Sequence, residues 1–399
     1  MRRTPSRSPR RAPRPGRVLR GVGLALLALV LAGCSGAQTM LDPQGPFAEA
    51  PDDLFKAVMV VAAVVFVFVQ GLIIYTVVRY RRRSDDDELP KQVHGNTRLE
   101  IVWTVIPALI LAGIAVPTVQ QVFALAEEPE GAMTIEVIGH RWWWEYRYPD
   151  SGVITANELV IPVDTPIHLE MRAEEAGSAD RGVLHSFWVP ALAGKQDVFP
   201  GRITTLNMQA DTTGRFLGQC AEYCGLSHAN MRNRAEVLEQ DEFDQWVAEQ
   251  QAPSDVAAAF AELTPEQLEA QEVPEGVDEQ VARGHYVFQS NCVACHGQIS
   301  DTAVASADDF VPRTGPNLTH LLSREEFAGA IFDLYFREDP DDPNSAFTDE
   351  VDVELLTSWV RNAPSLKAMR PGDGIGMNSF ESLPQDELDA VIAYLLTME

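Results

Sequence analysis

Cysteine is scarce, with five residues in 399, and each has a chemical setting of its own. None is therefore left over for a structural disulfide. Histidine is limited to eight residues, too few for a His-rich metal cluster beside the sites described below. Basic residues are outnumbered, 31 Lys and Arg against 58 Asp and Glu, for a net charge of −27. That excludes nucleic-acid binding and suits a basic protein partner, or simply solubility. The acidity is uneven, because the first twenty residues hold eight Arg and no acid. The length leaves room for two or three domains.

What is present concentrates in one stretch, Cys220-Ala-Glu-Tyr-Cys224-Gly-Leu-Ser-His228-Ala-Asn-Met231. Two thiols, an imidazole and a thioether fall within twelve residues. Soft sulfur with imidazole selects copper, zinc or iron–sulfur over calcium or magnesium. A thioether favours copper, since zinc takes thiolate, imidazole and carboxylate. A second His is expected from another strand, and His185 in Leu184-His185-Ser186-Phe187-Trp188 is the best candidate. The plain alternative is a disulfide or reactive pair at Cys220 and Cys224, with His228 and Met231 as bystanders.

The spacing Cys-x3-Cys-x3-His-x2-Met resembles the dinuclear copper (CuA) loop of subunit II of haem–copper cytochrome c oxidases. The resemblance implies that Cys220 and Cys224 bridge two coppers, that His185 and His228 cap them, and that Met231 and the Glu222 carbonyl are axial. It also implies a magnesium site at the subunit I interface, faced by the Glu222 carboxylate.

Residues 1–33 read as a lipoprotein-type signal peptide, an Arg-rich start followed by an apolar run. Leu31-Ala-Gly-Cys34 resembles a lipobox, with Cys34 the lipidated mature N-terminus. The alternative is an uncleaved anchor with a free thiol. Residues 34–128 hold two apolar segments, helices over about 57–78 and 101–126, each long enough to cross a ~30 Å hydrocarbon layer. Arg79, Arg81, Arg82 and Arg83 mark the loop between them as cytoplasmic. The expected protein is thus two-pass in a bacterial cell membrane, with its N-terminus and everything after about 127 outside. Pro107 and Pro117 are tolerable kinks. By resemblance, Glu100 stands at the mouth of a proton pathway; otherwise it is a helix-flanking acid.

Residues 129–251 change to short alternating stretches, Met133–Ile138, Leu159–Val163, Ile167–Met171 and Ile203–Met208, separated by turn signals. They predict a small β-sandwich or Greek-key barrel with the copper ligands on loops at one end. It resembles a cupredoxin, closed by a helix over 241–251. The aromatic run His140-Arg-Trp142-Trp-Trp-Glu-Tyr-Arg-Tyr148 resembles the family's stretch over the copper centre. That places Trp142 where electrons arrive; the alternative is core and edge packing. Asp197 and Arg202 resemble residues that contact subunit I, or are plain turn residues.

Residues 252–278 read as a linker with a possible short helix near 265–270. Residues 279–399 form the third unit. Cys292-Val-Ala-Cys295-His296 is the c-type haem attachment signal: two thiols for the vinyl groups and an imidazole for iron. A zinc or redox Cys-x-x-Cys is the alternative. Thr314-Gly-Pro-Asn-Leu318 resembles the haem-edge loop of class I cytochromes c, which implies an all-α domain. A Met ligand opposite His296 would raise the potential. Of Met369 and Met377, the second follows the Pro371-Gly turn and precedes the last helix, as in that family.

The expected protein is a multidomain membrane protein: a transmembrane hairpin, a cupredoxin-like Greek-key β-barrel and a cytochrome c. The resemblance implies an electron-input subunit of an aerobic cytochrome c oxidase. Its partners would be subunits I and III and a donor such as cytochrome c or a bc complex, and its cofactors CuA and haem c, with magnesium possible. A nitric oxide reductase partner or a membrane-anchored copper-delivery protein are the rival readings. A nitrous oxide reductase would need more His, and a quinol oxidase subunit would lack the thiols.

Overall fold

A computed structural model describes residues 38–81, 92, 94–174, 182–252, 254–297, 314–340 and 345–399. The signal segment and Cys34 lie outside the described residues.

Helix α1 spans Pro46–Tyr80 and α2 spans Thr97–Ala126, with mean hydropathies of 2.8 and 2.2 over their most apolar windows. Both begin before the expected segments, because their first turns are polar and escape an apolar-run reading. Most of their side chains are exposed, as suits helices whose solvent is lipid. Asn96 caps α2 by accepting the Leu99 N–H, and the Glu100 carboxylate accepts the Asn96 N–H at 3.1 Å. Gln121 donates to the Ala50 carbonyl at 2.7 Å, tying the two helices together.

The β-domain follows directly. Its larger sheet has the order β3-β2-β1-β5-β8, from Val153–Ala156, Trp143–Tyr148, Met133–His140, Ile167–Ala173 and Thr204–Met208. Its smaller sheet is β4-β10-β9, from Glu158–Pro162, Arg232–Leu238 and Gly214–Gln219. A short ribbon pairs β6 (His185–Phe187) with β7 (Gln196–Val198). β1 runs parallel to β5, and β4 parallel to β10, so the chain crosses between layers as a Greek key requires. The core is filled by alternate residues of these strands, among them Ile135, Val137, Leu159, Ile161, Leu169 and Phe187, all at or near zero exposure. Asn207 on β8 donates to the Leu125 and Glu127 carbonyls at 3.0 and 2.8 Å, fixing the sheet to the end of α2. Helix α3 (Gln240–Gln251) closes the domain, opened by a capping box between Glu239 and Glu242.

The segment after α3 is more ordered than a tether. Helix α4 (Asp255–Ala261) buries Ala257 and Phe260, and α5 (Pro265–Glu269) is a single turn. Phe260 stacks on His285 at 3.7 Å between ring centroids, so the segment lies against the third domain.

That domain packs α6 (Glu279–Asn291) against the C-terminal α9 (Gln385–Leu395), with α7 (Val293–His296) and α8 (Val353–Leu366). Gly284 faces the backbone of Ala390 so closely that a Cβ there would lie 2.0 Å from its carbonyl oxygen. Two short antiparallel pairs add to the helical plan: β11 (Glu326–Phe327) with β12 (Phe332–Asp333), and β13 (Tyr335–Arg337) with β14 (Phe347–Val351). They lie between the Thr314–Leu318 loop and α8, where no alternating run is long enough to announce them.

Candidate functional site

The Cys220–Met231 loop joins β9 to β10, and its short 3-10 turn, His228–Asn230, brings the imidazole and thioether back toward the thiols. The Cys220 N–H bonds the Met231 carbonyl at 2.9 Å, which closes the loop into a ring. Cys220 Sγ lies 3.9 Å from Cys224 Sγ. His185, carried in from β6, puts Nδ1 3.9 Å from Cys220 Sγ, and the Glu222 carbonyl oxygen is 3.2 Å from the same sulfur. On the other side, Cys224 Sγ is 3.7 Å from His228 Nδ1 and 3.8 Å from Met231 Sδ. The donors thus divide into two sets around a shared pair of sulfurs. The ligand atoms of His185, Cys220 and Cys224 all fall within 4.8 Å of one another. The thiols are buried, and their mutual hydrogen bond holds Cys220 well below the usual thiol range while that bond and burial push Cys224 above it. Two buried sulfurs that cannot both stay protonated comfortably suit soft cations.

Trp142 sits in the turn between β1 and β2, 4% exposed. Its Nε1 donates to the Cys224 carbonyl at 3.1 Å. The remaining aromatics of the run divide as core and edge: Trp144 and Tyr146 fill the sandwich, while Trp143 stacks on His140 at 4.1 Å. His140 is held between Glu145 at 2.9 Å and Glu174 at 3.1 Å. Three other histidines each bond through one ring nitrogen within the fold. His168 bonds Asn207, His285 the Tyr394 hydroxyl and His320 the Glu399 carbonyl. Asp197 lies on β7 and Arg202 packs over the Phe199 ring, 5.4 Å from its centroid.

The haem attachment segment ends α6 and forms α7. His296 Nδ1 lies 2.8 Å from the Pro316 carbonyl, which orients the ring. Gly315 is required here: a Cβ would lie 2.9 Å from the imidazole. Burial pushes the Cys292 thiol up to about 12. These groups open on a cleft walled by apolar side chains such as Phe288, Leu356 and Trp359. Both Met369 and Met377 line it; the Met377 N–H donates to Met369 Sδ at 3.2 Å. Arg324 also lines the cleft, 5% exposed, with Nη2 on the Asn317 carbonyl at 2.5 Å and no partner for Nε among the described residues. An apolar cleft with two thiols, an oriented imidazole and an orphaned guanidinium N–H fits a flat macrocycle carrying carboxylates.

Sequence reasoning passed over several residues of this region. The cleft is walled in part by the β-domain, through Arg141, Trp142, Trp143 and Asn157. Arg234 on β10 reaches across to Glu325 at 2.8 Å and to Glu326, and the Glu158 carboxylate accepts the Glu325 and Glu326 N–H groups at 2.9 and 3.1 Å. No motif announces contacts between residues 91 or more positions apart.

Known proteins resemble the chain over each of its three parts. The profile of the cytochrome c oxidase subunit II transmembrane domain matches residues 34–121, and that of the subunit II periplasmic domain matches 151–237. The profile of cytochrome c oxidase, cbb3-type, subunit III matches 279–395. Cytochrome c oxidase subunit 2 of Alkalihalophilus pseudofirmus is 35% identical over 385 residues, covering 94% of this chain and 96% of that one. The Bacillus subtilis protein of the same name is 30% identical over 394 residues, covering 93% and 95%. The crystal structure of the periplasmic domain of subunit II of the Bradyrhizobium japonicum cytochrome oxidase is 33% identical, covers 31% of this chain and 96% of that one, and superposes with a TM-score of 0.28. The chain belongs to the cytochrome c oxidase subunit 2 family and carries, after its membrane hairpin and cupredoxin-like domain, a C-terminal cytochrome c domain.

Proposed function

We propose that this chain is the electron-input subunit of an aerobic, proton-pumping cytochrome c oxidase, relaying electrons from an external donor to the oxygen-reducing subunit I. The observation that carries the reading is the convergence of His185, Cys220, Cys224, His228 and Met231 at one end of the sandwich. When bound, dinuclear copper and haem c supply one-electron couples. The chain's own work is to hold them, orient their ligands and exclude water.

Cys220, Cys224, His185, His228 and Met231 would hold the copper pair, with the Glu222 carbonyl completing the set. The Glu222 carboxylate accepts the Tyr223 N–H at 3.0 Å and is the group that would meet magnesium at a subunit I interface. Cys292 and Cys295 would take the haem covalently, and His296 and Met377 would hold its iron. The choice of Met377 rests on its place after the Pro371 turn; Met369 already accepts a hydrogen bond at sulfur.

Trp142 bridges the two sites: its ring bonds the copper loop while its residue also walls the haem cleft. It would therefore accept electrons from the chain's own haem. Glu100 would stand at the start of a proton pathway in subunit I, beyond its capping bond to Asn96. The sulfur loop and haem lie on the outer face of a bacterial membrane, Cys34 is lipidated, and subunit III joins the assembly. The donor would be a cytochrome c or a bc complex.

Optical and EPR spectra of the full chain test this reading. Low-spin haem c bands with a mixed-valence copper signal are expected. Cys220→Ser should abolish the copper signal and leave the haem bands. A mononuclear copper signal, or none, would overturn it.

A further inference from the structure

The haem domain presses one short corner into the β-domain. Ala328, Gly329 and Ala330 have φ of 57°, 84° and 54°, three left-handed residues in a row. Left-handed backbone costs an alanine roughly 1 kcal/mol or more, so it persists where the surroundings over-determine it. Here the surroundings belong largely to the other domain. The Gly329 carbonyl accepts the N–H of Arg232, the residue after Met231, at 3.0 Å. A Cβ on Gly329 would lie 2.6 Å from Lys367 Nζ, 2.7 Å from the Trp142 carbonyl oxygen and 2.8 Å from that of Asn230.

Lys367 closes this crossing from the haem side. Its Nζ donates to the Ala328 carbonyl at 2.7 Å and to the Trp142 carbonyl at 2.8 Å. The residue is 3% exposed and also lines the haem cleft. One residue further on, the Ala368 carbonyl accepts the Ser227 hydroxyl at 2.5 Å, from the copper loop itself. Burying an ammonium is costly, and an apolar side chain of the same volume would serve packing as well. The charge is useful where it specifies which carbonyls meet. Those carbonyls come from opposite domains, and one belongs to Trp142, whose ring is bonded to Cys224.

Resting on the relay proposed above, we propose that Lys367 is a positioning residue for electron transfer within the chain. Its ammonium pins the wall of the haem cleft to the Trp142 turn, fixing the separation of the two redox sites. Neither domain needs it for its own core, since its two acceptors lie on loops at the domain boundary.

The test uses the full chain loaded with haem and copper. Lys367→Met keeps an unbranched stem and removes both donors; Lys367→Arg keeps charge and donors. A pulse of a small-molecule reductant perturbs the electron distribution, and the absorbance of each centre reports re-equilibration between them. In Lys367→Met, haem content and copper EPR intensity should stay at parent levels while the internal rate falls about tenfold or more, on the scale by which a small misplacement slows a positioned reaction. Lys367→Arg should recover part of the rate. A purely structural role would lower the melting temperature and leave the rate of the folded fraction unchanged, and that result overturns the proposal.

Should Lys367→Met not fold, Gly329→Ala probes the same crossing with Lys367 in place. A slowed internal rate with both centres loaded supports the pin, and an unchanged rate overturns it. Failure of the relay itself reads differently: the parent chain would lack the mixed-valence copper signal or would exchange no electrons between centres.

Discussion

The indole of Trp142 donates to the carbonyl of Cys224 at 3.1 Å, so an aromatic ring of the β1–β2 turn is bonded to the backbone of a copper-loop thiol. Trp142→Phe keeps an aromatic ring and deletes that donor, leaving a buried carbonyl without it. A stability loss of about 1–2 kcal/mol is expected in denaturant titration. A shift in the copper EPR hyperfine pattern should accompany it, because the loop is free to relax. An unchanged spectrum would show that the bond does not shape the site.

The two methionines of the haem cleft make a sharp pair. Met377→Ala should abolish the methionine–iron charge-transfer band of the oxidised haem and lower its potential. Met369→Ala should keep the band and remove only a sulfur acceptor. The reverse pattern would transfer the ligand role to Met369.

His285 gives the haem domain a pH dependence. Burial lowers its pKa to about 4, with Phe260 stacked on one face and the Tyr394 hydroxyl on its edge. An unfolded histidine titrates near 6.5, so between about 6.5 and 4 the unfolded chain binds the extra proton. Stability contributed by neutral His285 is therefore complete above pH 6.5 and is lost as pH falls toward 4. Melting temperatures of the full chain should decline across that window, and His285→Phe should flatten the decline. An equal decline in the variant would place its cause elsewhere.

Arg234 is 3% exposed and holds Glu325 and Glu326 across the domain boundary. Arg234→Met removes the buried partner that both carboxylates share, leaving Glu325 with Arg215 and Glu326 with Arg337 at 3.8 Å, a loss of about 1–3 kcal/mol. Limited proteolysis should then cut between the domains faster than in the parent. Adding Glu326→Gln should restore part of the protection, and no restoration would mean that charge is not the reason.

Much of this was legible in the sequence because metal chemistry is local. Cys220 to Met231 lie in one loop, and Cys292 to His296 in little more than one helical turn, so spacing alone exposes them. His185 was reachable by asking which imidazole another strand could offer. The hairpin could be read as apolar length, and the sandwich as alternation. Lys367, Glu158 and Arg234 could not, because nothing in Leu366-Lys367-Ala368 separates a buried cation from a solvated one. Their partners lie in another domain, and a contact across such a separation leaves no periodicity. Helix α4 was missed because its buried face amounts to Ala257 and Phe260.

On the relay proposed above, the burial of Trp142 divides the chain's electron traffic into two regimes. With that residue 4% exposed, a diffusing redox protein would discharge at the haem instead. Collision with a chain of net charge −27 is governed by ionic strength, since screening reaches only about 8 Å in physiological salt. The subsequent hop is wired through contacts that salt ions do not enter. Raising salt should throttle delivery and leave the internal hop untouched.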